Sequence, residues 1–186
     1  MRNALYLGKT TKLLKKLSEL DSFLSATDNG ISAKRMKDKY IILRFLGFYL
    51  LRTNQLGNLE YKSDIDEFLA AVMKHINCYD DSQIIELENI FLNAMNNCCK
   101  VLGNNAYRFD NPERRRPINM GLFESLSYAF ALPLPENINS SKFKQKVDSL
   151  KAEMDQSKMF TAIDSSNAVK YRFDKADEIR MELSHA

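Results

Sequence analysis

The chain has 186 residues, of which 45% are hydrophobic and 27% charged, with only six Gly and four Pro. That composition excludes the disordered and fibrous classes and is enough for one ordinary domain with a core. The net charge of +3 is modest but uneven: residues 1–50 hold ten Lys/Arg against four Asp/Glu, and residues 51–100 hold four against eight.

A basic first third beside an acidic neighbour reads either as a nucleic-acid face or as two solvated helices that attract each other. The opening residues, through Leu14, show neither the apolar stretch of a signal peptide nor a lipidation signal. Cys78, Cys98 and Cys99 are an odd number, so reduced thiols and a cytoplasmic location are expected. The longest apolar run, Ile41 to Leu51, is interrupted by Arg44 and falls far short of the ~20 residues of a membrane span. No membrane partner is expected.

Apolar residues recur at helical spacing almost throughout, which predicts an all-α fold, a compact bundle of about seven helices with no significant sheet. Thr10 or Thr11 can cap a first helix with the stripe Leu13, Leu14, Leu17, Leu20 and Leu24, ended by Asn29-Gly30. A second, roughly Met36 to Arg52, is apolar on all sides and must be surrounded by others. A third starts at Ser63-Asp64-Ile65-Asp66, a variant capping box, and buries Phe68, Leu69, Val72, Met73 and Ile76. The fourth runs from about Asp81 to Leu102, with the stripe Ile84, Leu87, Phe91, Met95, Cys98 and Leu102, and stops at Gly103. The fifth follows Pro117 and carries Ile118, Leu122, Phe123, Leu126, Ala129 and Phe130.

Two prolines, Pro133 and Pro135, exclude helix and stiffen a joint. The expected organisation is a helical core over 1–132, a joint over 133–140 and a C-terminal helical pair over 141–186 that packs on the core. One helix of the pair carries Phe143, Val147, Leu150 and Met154; the other, capped near Ser165 or Ser166, carries Val169, Phe173, Ala176, Ile179 and Leu183.

No catalytic centre is visible. With only His75 and His185, no histidine-dependent triad can be assembled, and the glycine-rich, P-loop, zincin and EF-hand motifs are absent. His75 and Cys78 share a helical face, with Cys98 and Cys99 available from the next helix. Cys98 however lies on an apolar stripe, where a free Cys acts as a small hydrophobe, so no metal is expected.

Arg114, Arg115 and Arg116 before the fifth helix are candidates for phosphate contact, because guanidinium groups fork onto phosphate oxygens. Lys34, Arg35 and Lys37 are a second such cluster; the ordinary reading of both is a solvated surface or interface ion pairs. Arg44 interrupts the most apolar helix and needs a partner. A salt bridge to Asp66 or Glu67 is the structural expectation, and a buried phosphate or nucleotide site the functional one.

Several landmarks occur in a definite order. Arg2, Asn3 and Tyr6 stand at the start; Arg35 and Asp38 lead into Arg44 and Phe45; Gly103 and Tyr107 precede Asn119, Phe123 and Glu124. In this the chain resembles, over roughly residues 2–130, the helical second half of a bacterial domain family named for the N-terminal domain of GmrSD restriction endonucleases. The resemblance implies a preceding lobe, similar to the ParB and sulfiredoxin fold, with an Asp-Gly-Gln-Gln-Arg type motif that handles a nucleotide. No such motif occurs in this sequence. In many members a later nuclease lobe of the His-Asn-His type cuts DNA, and two histidines cannot supply it.

The implied role is a non-catalytic scaffold and coupling part of an anti-phage or modification-dependent restriction system. Its partner would be the missing ParB-like lobe or a separately encoded protein, with a nucleotide bound there and no cofactor in this chain. A homo-oligomer and DNA are further possible partners. Such a part should expose some of the apolar stripe of its second helix. The alternative is an autonomous nucleic-acid-binding module that uses the basic clusters near 34–39 and 114–116.

Overall fold

The computed structural model describes residues 8–136, 138–157 and 162–184. Arg2, Asn3, Tyr6 and His185 lie outside the described residues. Among those described, eight α-helices and no strand are present: α1 (Lys9–Ser18), α2 (Asp21–Thr27), α3 (Lys37–Arg52), α4 (Ile65–Asn77), α5 (Asp81–Leu102), α6 (Met120–Ala129), α7 (Ser140–Gln156) and α8 (Ser166–Ser184). The all-α bundle is therefore correct, with one helix more than expected. No described helix is long and apolar enough to cross a membrane.

The extra helix comes from a break at Glu19 and Leu20, where the chain turns and α2 restarts with a new phase. Phe23 is the cause. It is 1% exposed and reaches Phe91 of α5 (5.8 Å between ring centroids) and Phe123 of α6 (6.1 Å, edge to face). A continuous helix would have buried Leu24 instead, which is exposed. Aromatic burial outweighs the helical hydrogen bonds lost at the break.

Thr10 is not the cap of α1. It sits inside the helix, fully buried, with its hydroxyl 3.0 Å from the Met73 carbonyl and 2.9 Å from Asn77 Oδ1, which also accepts from the Thr10 amide at 2.9 Å. The α4 C-terminus thus supplies the acceptor that an N-cap side chain would give. A Cβ on Gly8 would lie 2.5 Å from that oxygen, so the glycine permits the approach. Asn77→Ala should cost about 1–2 kcal/mol, read as a lowered urea midpoint.

α3 lies at the centre. Every residue from Ile41 to Leu50 is buried, with α1, α4 and α6 packed around it. The expected uncovered stripe on this helix is absent, because Phe91 of α5 and Phe173 of α8 add to the cover of those three helices. Its start falls at Lys37 rather than Met36, since Arg35 and Met36 both have φ of 57° and form a left-handed step ahead of the helix.

Asp64, not Ser63, caps α4, accepting from the amides of Asp66 and Glu67 at 2.9 Å each. α5 opens with an Asp80/Gln83 capping box and ends at Gly103, whose φ of 68° with ψ of -161° is a combination open in practice only to glycine. α6 begins at Met120, three residues after Pro117, because Asn119 is its cap (Oδ1 to Leu122 amide, 3.1 Å) and is itself held by its amide on the Tyr107 carbonyl at 2.9 Å. Beyond α6, the Asn97 amide of α5 donates to the carbonyls of Phe130 and Leu132, fixing the approach to the two prolines. α7 then packs on α5, and α8 on α6.

Candidate phosphate-binding recess and buried arginine network

Arg44 is fully buried, and its partner is neither Asp66 nor Glu67. Its Nε donates to Glu124 Oε1 on α6, Nη2 to Asp164 at 2.7 Å, and Nη1 to the Tyr40 hydroxyl at 3.1 Å. Asp66 and Glu67 instead occupy the first turn of α4, where negative charge meets the positive end of the helix dipole. Glu124 is also fully buried, and its second oxygen accepts from Arg172 Nη2 of α8 at 2.5 Å. Arg172 Nη1 reaches the Ile163 carbonyl at 2.6 Å.

One carboxylate therefore bridges two buried guanidiniums, and Asp164 brings the four charges to neutrality. Burial depresses the Arg44 pKa, but the charge and hydrogen bond of Glu124, with Asp164, outweigh it and raise the pKa above the ordinary arginine value. Phe48 lies beneath both guanidiniums, with its centroid 5.9 Å from Arg44 and 5.4 Å from Arg172. The outer end of the network is at the surface. Asp164 is 37% exposed, and its carbonyl accepts from Tyr61 at 2.5 Å. With burial as the main cause and the Asp164 charge adding to it, the Tyr61 pKa is pushed up to about 12.

Composition flagged Arg44 but not Glu124, Asp164 or Arg172. The available signal was the same for Glu124, a lone charge inside the apolar helix α6. Other landmark residues are structural too: Phe45 and Phe123 are core, and Asn119 is a cap. Asp38 is buried near the start of α3, with Oδ1 unpartnered among the described residues and Oδ2 3.5 Å from Lys39 Nζ.

Arg114, Arg115 and Arg116 edge a recess of about 500 Å³ that also takes in Asp28, Asn105 and Phe109. Asn111 Oδ1 accepts from the amides of Glu113 and Arg114, which turns the loop and presents Arg114 to solvent. Arg115 donates to Asp28 through Nη1 and to the Asn104 carbonyl through Nη2 at 3.2 Å. Arg116 pairs with Asp155 of α7 at 2.5 Å and stacks over Phe109, 5.1 Å from its centroid. Two of the three arginines are thus committed to carboxylates, whereas Arg114 has no ion pair among the described residues.

Near Asp28 and Arg115 lies Arg108, 5% exposed, which donates to the Thr27 carbonyl at 3.4 Å and whose Nε has no hydrogen-bond partner among the described residues. Its pKa is lowered by burial and by the Arg115 charge, against the opposing pull of Asp28. Lys34, Arg35 and Lys37 are exposed and form no ion pair among the described residues. Lys37 lines a second, apolar recess of about 370 Å³ with Gly30, Ile31, Tyr40 and Pro117. Asp28 and Arg116 line the first recess and Gly30 and Pro117 the second, so the two adjoin, and Lys37 and the loop of Arg114, Arg115 and Arg116 border them.

His75 and the cysteines do not converge: Cys78 is exposed, Cys98 is buried against the Leu126 carbonyl at 3.7 Å, and burial pushes the Cys98 thiol up to about 12. Among the described residues no group of three or more His, Cys, Asp or Glu is placed to hold a metal. In comparisons with known proteins, no family model, no curated protein and no solved structure matches this chain.

Proposed function

We propose that the chain is a non-catalytic scaffold and coupling module, of the kind its resemblance implies, that supports a nucleotide-handling lobe and a nuclease located elsewhere in a bacterial defence system. The observation that supports it is the network of Arg44, Glu124 and Arg172. It joins α3, α6 and α8 through buried charges and ends at the half-exposed Asp164. A partner resting on Asp164 would perturb the Arg44 ion pair, and with it the packing of three helices. Buried charge lattices of this kind have discrete arrangements rather than a continuum, which suits transmission between lobes.

The test is light scattering and thermal unfolding of this chain with the nucleotide-handling lobe of the same system added in trans. A complex with a Tm raised by several degrees is expected, since binding at one hundred times Kd stabilises by about 2.7 kcal/mol. A monodisperse monomer with unchanged Tm would sink the proposal.

A second reading, nucleic-acid binding, is favoured by the adjoining recesses that Lys37 and the loop of Arg114, Arg115 and Arg116 border. Lys37 and Arg114 line these recesses and Lys34 and Arg35 are exposed in the turn just before Lys37, all four without an ion pair among the described residues. Binding of that origin weakens steeply with added salt.

A further inference from the structure

We propose that the recess beside Arg114 and Arg115 binds a phosphate group of a nucleic-acid strand, and that Asp28 holds its place when the strand is absent. The inference rests on the second reading above and assigns it a site and a competitor.

Arg115 is presented from two sides, by the Asp28 carboxylate and by the Asn104 carbonyl. A guanidinium held in this way is already oriented, so little side-chain entropy is lost when one oxyanion replaces another. Arg114 stands next to it, exposed, on a loop set by the Asn111 turn, and has no carboxylate to displace among the described residues. The buried Arg108, close to Asp28 and Arg115, adds positive charge that no carboxylate among the described residues hydrogen-bonds.

The Arg115 and Asp28 side chains are 50% and 37% exposed, and an ion pair so exposed is worth only about 0.2–1 kcal/mol. A phosphate with two guanidiniums on it can outcompete that. The strand would continue past Pro117 towards Lys37, which lines the adjoining recess, and the exposed Lys34 and Arg35 in the turn just before it.

The test is fluorescence anisotropy at low salt with a labelled single-stranded oligonucleotide, a labelled duplex, and inorganic phosphate and a mononucleotide as competitors. Asp28→Asn should tighten oligonucleotide binding about two- to fivefold, the free energy of the exposed pair removed. The variant keeps the fold, because Asn accepts the left-handed conformation that Asp28 adopts at φ 50°. Arg114→Ala and Arg115→Ala should each weaken binding by about tenfold, the loss expected for a charge-assisted hydrogen bond. Inorganic phosphate and mononucleotide should compete only at far higher concentration than unlabelled strand.

Absence of binding to every probe overturns both this inference and the second reading. Binding that survives Arg114→Ala and Arg115→Ala but is lost when Lys34, Arg35 and Lys37 are replaced by alanine overturns the recess and leaves the second reading standing. Unchanged or weaker binding by Asp28→Asn overturns the role of Asp28. A mononucleotide as tight as the oligonucleotide overturns the assignment to a strand.

Discussion

Glu124→Gln is expected to lower the stability of the fold by about 3–5 kcal/mol, the usual cost of removing one partner from a buried ion pair. The cost arises from what remains. Arg44 and Arg172 are 0% and 1% exposed and would keep their charges with Asp164 alone to offset two. An arginine does not escape by losing its proton, so both guanidiniums stay desolvated and under-paired. Urea unfolding is the measurement: the midpoint should fall sharply while the slope with denaturant stays constant.

A complementary variant separates lost charge pairing from lost packing. Replacing Arg44 by Met, Glu124 by Leu and Arg172 by Met together removes all three buried charges and leaves only Asp164, which at 37% exposure can be hydrated. Buried charge clusters replaced wholesale by apolar side chains of similar size are often as stable as the original. The triple variant should therefore be more stable than Glu124→Gln alone. Equal losses in the two would mean that the site fails through packing rather than charge. If the network serves coupling rather than stability, the triple variant should fold yet lose the response to its partner lobe.

The helices with regular apolar spacing were legible in the sequence because one face decides them. α5 matches its expected bounds at both ends, where Asp80, Gln83 and Gly103 supply local signals. The break between α1 and α2 was not legible. The leucines at 13, 14, 17, 20 and 24 keep a helical period through it, and the decisive contacts of Phe23 lie with Phe91 and Phe123, far along the chain.

The same division holds at the candidate sites. A charge amid the apolar residues of α3 announces that Arg44 needs a partner, but does not identify it. Acids near in sequence were already useful at the α4 N-terminus, and the true partner is 80 residues away. Arg115 and Asp28 are 87 residues apart, so the pairing that turns a basic triplet into a guarded recess appears only in three dimensions.

Phe48→Ala is the second large effect, also about 3–5 kcal/mol, as for other large aromatic truncations in a core. Phe48 is fully buried and stacks on Phe68 at 5.1 Å, with Tyr61 at 5.2 Å and Phe173 at 5.3 Å between centroids. It thus joins α3 to α4, to the segment before α4, and to α8. Its neighbours cannot collapse into the vacated space without breaking the ion pairs, since both network guanidiniums lie over the same ring. Ile85→Ala, at a position 55% exposed on α5, should stay within about 0.5 kcal/mol and serves as the control. Hydrogen exchange adds a local readout: α8 amides should lose more protection than those of α5, because α8 is held by Phe48 and Glu124 through Phe173 and Arg172. Combining Phe48→Ala with Glu124→Gln should cost less than the two separate losses added, because each removes support from the same pair of arginines. Strict additivity would show that the ring and the carboxylate stabilise independent parts of the fold, and would remove the physical basis for treating the network as one coupling element.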